Sequence, residues 1–299
     1  MSESIETPIR NDTFSVDGTL ELDLTVLLGR VEVELAETTE AWVEVRHDPG
    51  SQEVWAENVT NVLNWVSERF GGQFGSDFRG SPAEAVSATK IEKTGNRITV
   101  RAPKTLPLRN IPLAVTVHAP SGSQLEIRAG SANVTVTGTA GRTGISTGSG
   151  EVRLDRTDGS ANVRTGSGAI RLGPAISGLQ VRTGSGDVEA ASLSGSATVT
   201  TGTGDIWFGA VSGEVMARSG SGDLSVAEAA GGSLELITGS GEVRIGIRTG
   251  VHAEIDLSST SGKVSSELDV ETEAPSDGVA LRVRARTGSG NAVLTRAAQ

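Results

Sequence analysis

Apolar and polar residues alternate along most of the chain in short segments of five or six residues. From residue 147 onward each segment carries two apolar residues two positions apart, as in Val152/Leu154 and Ile170/Leu172. A period of two is typical of a strand with one buried face. Apolar residues do not recur there at the spacing of a helix, so the pattern predicts short strands.

The strand segments recur at a fixed interval. TGSGEVRL begins at Thr147, and related motifs begin at intervals of 18 residues at Thr165, Thr183, Thr201 and Ser219. Weaker copies lie nine residues after each of these. A unit of strand, turn, strand and turn predicts one coil of a parallel β-solenoid, in which successive coils stack ~4.8 Å apart.

The repeat is less regular at both ends of the chain. A degenerate copy begins at Ala129, and the later copies drift to intervals of 19, 21 and 28 residues, beginning at Thr238, Ser259 and Thr287. Towards the N-terminus, LELDL (20–24), RVEVEL (30–35) and WVEVR (42–46) alternate without the exact period. We expect them to form irregular first coils or a small sheet.

A segment with helical periodicity interrupts these strands at about residues 51–82. One face of the predicted helix carries Trp55, Val59, Val62, Val66 and Phe70. We expect this face to pack on the solenoid; a partner interface or self-association is the alternative. The polar face holds Asn and Glu, which argues against a lipid-binding helix.

These patterns predict an all-β chain with one helical insertion near the N-terminus. Residues 1–128 form an irregular β segment that contains the insertion, and residues 129–299 form a regular solenoid of 18-residue coils, each with two short strands. We expect the two parts to be continuous as one elongated domain. Aromatic residues make up only 3% of the chain and glycine contributes 39 of 299 residues, which suits a thin interior better than a large enzyme core.

Charge and cysteine content narrow the function classes. The net charge is −11, which disfavours binding to nucleic acid phosphates. The chain has no cysteine, so disulfides and thiolate chemistry are excluded. No signal peptide and no apolar run of the ~18–20 residues needed to span a membrane is visible. We therefore expect a cytoplasmic protein, with non-classical export as the alternative.

A row of hydroxyl groups is the most regular candidate site. Stacked coils should align Thr147, Thr165, Thr183, Thr201 and Thr238. Such a ladder could order water or contact sugars, but glycines flank every hydroxyl. We therefore favour hydrogen bonding within tight turns.

Other ligand motifs fit less well. The Gly-rich runs resemble calcium-binding nonapeptide repeats, but the acidic residue follows the last glycine in the wrong register. They lack the following helix of a nucleotide-binding loop. His47, His118 and His252 are scattered. We predict no metal and no cofactor.

The opening FSVDGTLELDL, the segment LAVTVHAPSGSQLEIRAGSANVTVTG and the TGSG copies after it resemble the bacterial putative-adhesin family of β-strand-repeat proteins, a domain class of unknown function. The resemblance implies a β-solenoid with no known catalytic residues. We predict a non-enzymatic scaffold or interaction module that binds a protein partner or self-associates. The alternatives are an adhesin-like protein that binds sugars or surfaces after export by an unseen route, and a polysaccharide hydrolase or lyase.

Overall fold

The computed structural model describes residues 8–51, 80–268 and 278–298, which belong to two compact units that meet in sequence at Gly138 and Thr139. The predicted helix and its face of Trp55, Val59, Val62, Val66 and Phe70 lie outside the described residues. A short helix, α1 (Pro82–Ala88), follows that segment. Ser81 caps it by accepting a hydrogen bond from the backbone N–H of Ala83, while Glu84 accepts one from the N–H of Ser81.

The first unit contains two sheets and two short 3-10 helices, Pro49–Ser51 and Leu108–Asn110. Its strands are β1 (Ile9–Ser15), β2 (Glu21–Val26), β3 (Gly29–Ala36), β4 (Glu40–His47), β5 (Lys90–Thr94), β6 (Arg97–Arg101), β7 (Leu113–Pro120), β8 (Gln124–Ala129) and β9 (Asn133–Ala140), which runs past the junction.

The strand order in this unit is β1-β4-β7-β3-β9 in one sheet and β8-β2-β6-β5 in the other. The three strands predicted near the N-terminus are confirmed as β2, β3 and β4. Their alternation explains the fold, because Leu22, Leu24 and Val26 point inward between polar neighbours. The β1–β4, β4–β7 and β5–β6 pairs are antiparallel, so this part departs from a purely parallel solenoid.

The second unit is a regular two-sided solenoid. Its strands are β10 (Thr143–Thr147), β11 (Val152–Thr157), β12 (Ala161–Thr165), β13 (Ile170–Ala175), β14 (Leu179–Thr183), β15 (Val188–Leu193), β16 (Ala197–Thr201), β17 (Ile206–Val211), β18 (Glu214–Ser221), β19 (Leu224–Ala229), β20 (Gly232–Ser240), β21 (Val243–Ile247), β22 (Ala253–Ser259), β23 (Val264–Ser266), β24 (Leu281–Ser289) and β25 (Ala292–Arg296).

These strands form two sheets within the unit. Sheet A has the order β11-β13-β15-β17-β19-β21-β25-β23, and sheet B has the order β10-β12-β14-β16-β18-β20-β24-β22. Their neighbours pair in parallel, and Ile170 lies beside Val188 one coil later, an offset of 18 residues. The predicted parallel β-solenoid is confirmed here. The apolar pair of each repeat faces inward, including the shifted pair Leu179 and Val181.

Glycine is required where successive turns stack. A Cβ on Gly186 would lie 2.0 Å from the carbonyl oxygen of Gly168 one coil earlier, and a Cβ on Gly168 would lie 1.9 Å from that of Gly150. These distances are far below van der Waals contact, so no side chain fits without moving the backbone. The TGSG motif therefore marks the corner at which sheet B passes into sheet A.

The last coils are not stacked in the order of the sequence. The coil of β24 and β25 lies between the coil of β20 and β21 and the coil of β22 and β23. Leu281 pairs with Gly232 on one side and with Ala253 on the other. The coil that carries the C-terminal TGSGNAVL copy therefore does not end the stack, because each copy marks a coil but carries no information about its neighbours. We call β22 and β23 the end coil.

Candidate functional site

The five predicted threonines form one continuous row inside the second unit. Thr147 pairs with Thr165, Thr165 with Thr183 and Thr183 with Thr201, and Ser219 separates Thr201 from Thr238. All of them are buried, with exposed fractions of at most 8%. The row therefore lies under the TGSG corner and not on its surface.

The buried hydroxyls are used by the corner itself. The Oγ1 atoms of Thr147, Thr165, Thr183 and Thr201 accept hydrogen bonds of 2.9–3.1 Å from the backbone N–H three residues later. Thr238 donates to the carbonyl of Gly222 at 2.9 Å. The turn interpretation accounts for these contacts, so we do not treat the row as an exposed ladder. Ser149, Ser167, Ser185, Thr203 and Ser221, two residues further along, are exposed at the turns.

The outer surface of sheet A carries a second row, beside the corner. Its members, one from each successive coil, are Arg153, Arg171, Glu189, Trp207, Ser225 and Arg244. Several of the charges form ion pairs: Arg171 contacts Glu151 and also Glu189, at 3.3 Å for the latter, and Arg244 contacts Glu242 at 2.6 Å. Trp207 and Ser225 interrupt the row of charges.

A row of aspartates stands between this outer row and the corner. The Oδ1 of Asp187 accepts a hydrogen bond from the backbone N–H of Asp205 at 2.9 Å, and Asp205 accepts one in the same way from Asp223 at 2.7 Å. Asp223 accepts one from Glu242 at 2.7 Å. Each carboxylate is thereby held in place by the next coil. We call Asp187, Asp205 and Asp223 the aspartate row.

The indole of Trp207 reaches along its strand towards Gly209. A Cβ on Gly209, two residues further along the same outer face, would be only 3.4 Å from the Cη2 atom of the indole. The ring therefore leans along its strand over a position that has no side chain. Trp207 remains 45% exposed.

Sheet B carries an arginine row on its outer surface. Arg164 pairs with Arg182 on the adjacent strand, and Arg218 and Arg286 occupy the same row further along. Arg218 is 3.9 Å from Glu235. Within the described part of the chain, no ion pair is found for Arg164, Arg182 or Arg286. The two sheets thus present different surfaces, one acidic with an indole and one basic.

The end coil exposes residues that face inward in other coils. Ile255 pairs with Val283 and Val264 with Ala292, and both partners are buried. Ile255 is nevertheless 37% exposed and Val264 is 50% exposed. β22 and β23 are the last strands of their sheets among the residues that the structure describes.

The first unit has a smaller aromatic cluster. The rings of Trp42 and His118 stack at 5.8 Å with an interplanar angle of 19°. On the other sheet of this unit, Arg97 donates two hydrogen bonds to Glu21, at 2.6 and 2.9 Å, and this contact raises the pKa of the Arg97 guanidinium. The arginine therefore stays charged at any physiological pH.

No three His, Asp or Glu side chains in residues 8–51, 80–268 and 278–298 are placed so as to hold a metal ion. Over the same ranges, no helix has the length and apolar character needed to cross a membrane.

Sequence reasoning missed Trp207 as a candidate, although the signal was present. Alternation places Trp207 outward between the buried Ile206 and Phe208, and three successive copies carry aspartate directly after the last glycine. The alternation does not give the position of the indole ring, because that position depends on Gly209.

Comparisons with known proteins place the chain in a family. The comparison with curated proteins gives no match. Similar solved structures include a putative adhesin from Bacteroides fragilis, at 10% identity with a TM-score of 0.39 over 96% of this chain and 97% of that one. Another is a putative lipid binding protein from Parabacteroides distasonis, at 13% identity with a TM-score of 0.49 over 95% and 96% of the two chains.

A family model matches a large part of the chain. The Toastrack DUF4097 model matches residues 81–288, which is more than half of the chain and spans the whole regular solenoid up to β24. The match agrees with the resemblance noted from the TGSG copies. The chain therefore belongs to the Toastrack DUF4097 family.

Proposed function

We propose that the protein is a non-enzymatic interaction module that self-associates through its end coil. One observation carries the proposal: Ile255 and Val264 occupy inward-facing register positions, and no further coil among residues 8–51, 80–268 and 278–298 covers them. Fully burying an aliphatic side chain of this size contributes about 1.5–3 kcal/mol. A second copy of the chain would supply that cover.

The backbone hydrogen bonding of the end coil also favours a second copy of the chain as the partner. β22 hydrogen-bonds to β24, and β23 to β25, along one side only within the described residues. A strand edge of this kind invites pairing with another strand. Two copies related by a two-fold axis across the end coil would place equivalent strands antiparallel, which is a favourable pairing geometry.

Charge should make the association depend on salt. Each chain carries a net charge of −11, so two copies repel one another at low ionic strength. At 0.1 M salt the Debye length is about 10 Å, and repulsion between exposed charges that lie farther apart than this is largely screened. We therefore expect the dimer to strengthen as salt is raised towards that range.

Light scattering on the full chain tests the proposal. Ile255→Glu with Val264→Glu should convert the dimer to a monomer without changing the circular dichroism spectrum. The matched control is Ser258→Glu with Ser265→Glu, which adds the same two charges to exposed positions on the same two strands. This control should remain dimeric.

Two results would contradict the end-coil interface. One is a wild-type chain that is monomeric at every protein and salt concentration. The other is a dimer that survives Ile255→Glu with Val264→Glu. If that dimer is instead lost on changing Val62 and Val66 to Asp, the interface belongs to the predicted helix face and not to the end coil.

A further inference from the structure

The outer surface of sheet A contains a platform that is separate from the end coil. It consists of Trp207, the bare backbone at Gly209, the small neighbour Ala191 and the aspartate row. Trp207 lies between Asp205 and Gly209 along β17, and between Glu189 and Ser225 on the adjacent strands. The indole is therefore bordered by carboxylates on one side and by a surface without large side chains on the other.

The exposed indole is the feature that requires explanation. Among the described residues, Trp207 is the one Trp or Phe side chain that is exposed, at 45%. Its neighbours in the same row are charged or hydroxyl-bearing, so no solubility or packing need accounts for a tryptophan at this position. A partly exposed indole beside a position that has no side chain offers a surface to which a pyranose ring or a cation can bind.

The backbone beside the ring keeps the platform open. A Cβ on Gly209 would lie 2.2 Å from the carbonyl oxygen of Ala191, so no larger residue can stand there. The corresponding position of the preceding strand is occupied by Ala191, whose side chain is a single methyl group. A flat ligand can consequently extend from the indole over this surface without a clash.

The aspartate row supplies fixed hydrogen-bond acceptors. One oxygen of each carboxylate is occupied by a backbone N–H. The second oxygen of Asp187, Asp205 and Asp223 accepts no hydrogen bond from any residue that the structure describes. These oxygens recur at the ~4.8 Å spacing of the strands, so a ligand that crosses several coils can meet each in turn.

The negative charge of the aspartate row favours a ligand with positive groups. The nearest arginines on this surface are already paired, Arg171 with Glu189 and Arg244 with Glu242. The row thus presents three carboxylates without a cation. Two like charges at this spacing repel by about 1 kcal/mol even in water, and a ligand with positive groups would relieve that repulsion. Cation–π attraction at an exposed indole adds about 0.5–1 kcal/mol.

We infer that this platform binds a glycan of amino sugars. A pyranose ring stacks on the exposed indole of Trp207, and its hydroxyl and ammonium groups donate hydrogen bonds to the aspartate row. The charge complementarity distinguishes this ligand from a neutral or acidic glycan. The inference does not depend on self-association, because the end coil and the platform share no residue.

Calorimetry with a glucosamine tetramer tests the inference. We expect binding by the full-length chain that weakens as salt is raised. Trp207→Ala should reduce the affinity roughly tenfold, equivalent to about 1.4 kcal/mol. Ile176→Ala is the matched control, because Ile176 lies in the same unit and is 46% exposed. This control should bind as the wild type does.

A second variant isolates the role of the carboxylates. Replacing Asp187, Asp205 and Asp223 with Asn keeps an acceptor oxygen at each position but removes the charge. It should weaken binding of the glucosamine tetramer several-fold and reduce its salt dependence. Thermal melts should show that the variant remains folded.

Four outcomes would overturn the inference. Three of them are a failure of the wild type to bind the tetramer, equally strong binding of a neutral cello-oligosaccharide, and retention of full affinity by Trp207→Ala. A short oligolysine serves as the polycation without sugar rings. If it binds as tightly as the tetramer, the surface attracts positive charge only and the glycan assignment fails.

Discussion

The Oγ1 atom of Thr183 accepts a hydrogen bond from the backbone N–H of Gly186 at 2.9 Å, beneath the corner that joins the two sheets. Both atoms are buried, so water cannot replace the hydroxyl. Thr183→Val keeps the shape but leaves the N–H unsatisfied, and we expect a loss of about 1–3 kcal/mol in the free energy of unfolding. Thr183→Ser should restore most of it.

Thr200→Val is the control for that experiment. Thr200 lies on the outer surface of sheet B, paired with Arg182 and Arg218. Denaturant titration should show a change within about 0.5 kcal/mol for this exposed substitution. Equal losses at Thr183 and Thr200 would mean that the buried hydroxyl does not stabilise the corner.

Val181 and Arg182 are neighbours on β14 with opposite environments. Val181 is fully buried and Arg182 is exposed. Val181→Asp places an unpaired charge between the sheets and should cost roughly 4 kcal/mol or more. Arg182→Asp should cost little. Thermal unfolding measures both, and a comparable fall in Tm for the two variants would contradict the assignment of inner and outer faces.

Removing a whole coil should be tolerated better than removing half of one. Deletion of residues 165–182 joins Arg164 to Thr183, and the register already places Thr165 and Thr183 in equivalent positions. The shortened chain should fold, because each coil contacts only its neighbours. Deletion of residues 165–173 exchanges the sheets for every later strand. Circular dichroism and thermal melts should separate the two deletions clearly, and identical behaviour would contradict the 18-residue coil.

Gly186 and Gly178 offer a matched pair of glycines. A Cβ on Gly186 would lie 2.0 Å from a backbone carbonyl, whereas the nearest atom to a Cβ on Gly178 is the Ser196 hydroxyl at 3.8 Å. Gly186→Ala should therefore lower the stability by several times the change caused by Gly178→Ala. The midpoint of chemical unfolding measures this difference. A small effect at Gly186 would show that the corners can separate at little cost.

Much of this architecture could be predicted from local pattern. The inward positions Ile170 and Leu172 follow from alternation alone, since a period of two decides which face of a strand is buried. The 18-residue offset between Ile170 and Val188 follows from the spacing of the motifs. Neither inference needs information from distant parts of the chain.

The remaining features depend on contacts that the pattern does not encode. Alternation places Arg171 on the outer face, where a substitution is expected to cost little, but the structure pairs it with Glu151 and Glu189 on the two adjacent coils. An acidic substitution there would therefore face two carboxylates and cost more than expected. The position of the Trp207 ring and the order of the last coils likewise depend on neighbours in space. The cytoplasmic location stays a prediction.

The exchanged order of the last coils has a consequence for how the chain can assemble during synthesis. Strands β22 and β23 emerge from the ribosome before β24 and β25, yet in the described part of the chain their strand partners are β24 and β25, which in turn pair with β20 and β21. Residues 253–266 can therefore pair in their final positions only after the last two strands have been synthesised and have paired with β20 and β21. A stop codon shortly before Leu281 would cost the protein two coils and leave β20 and β21 as the new edge.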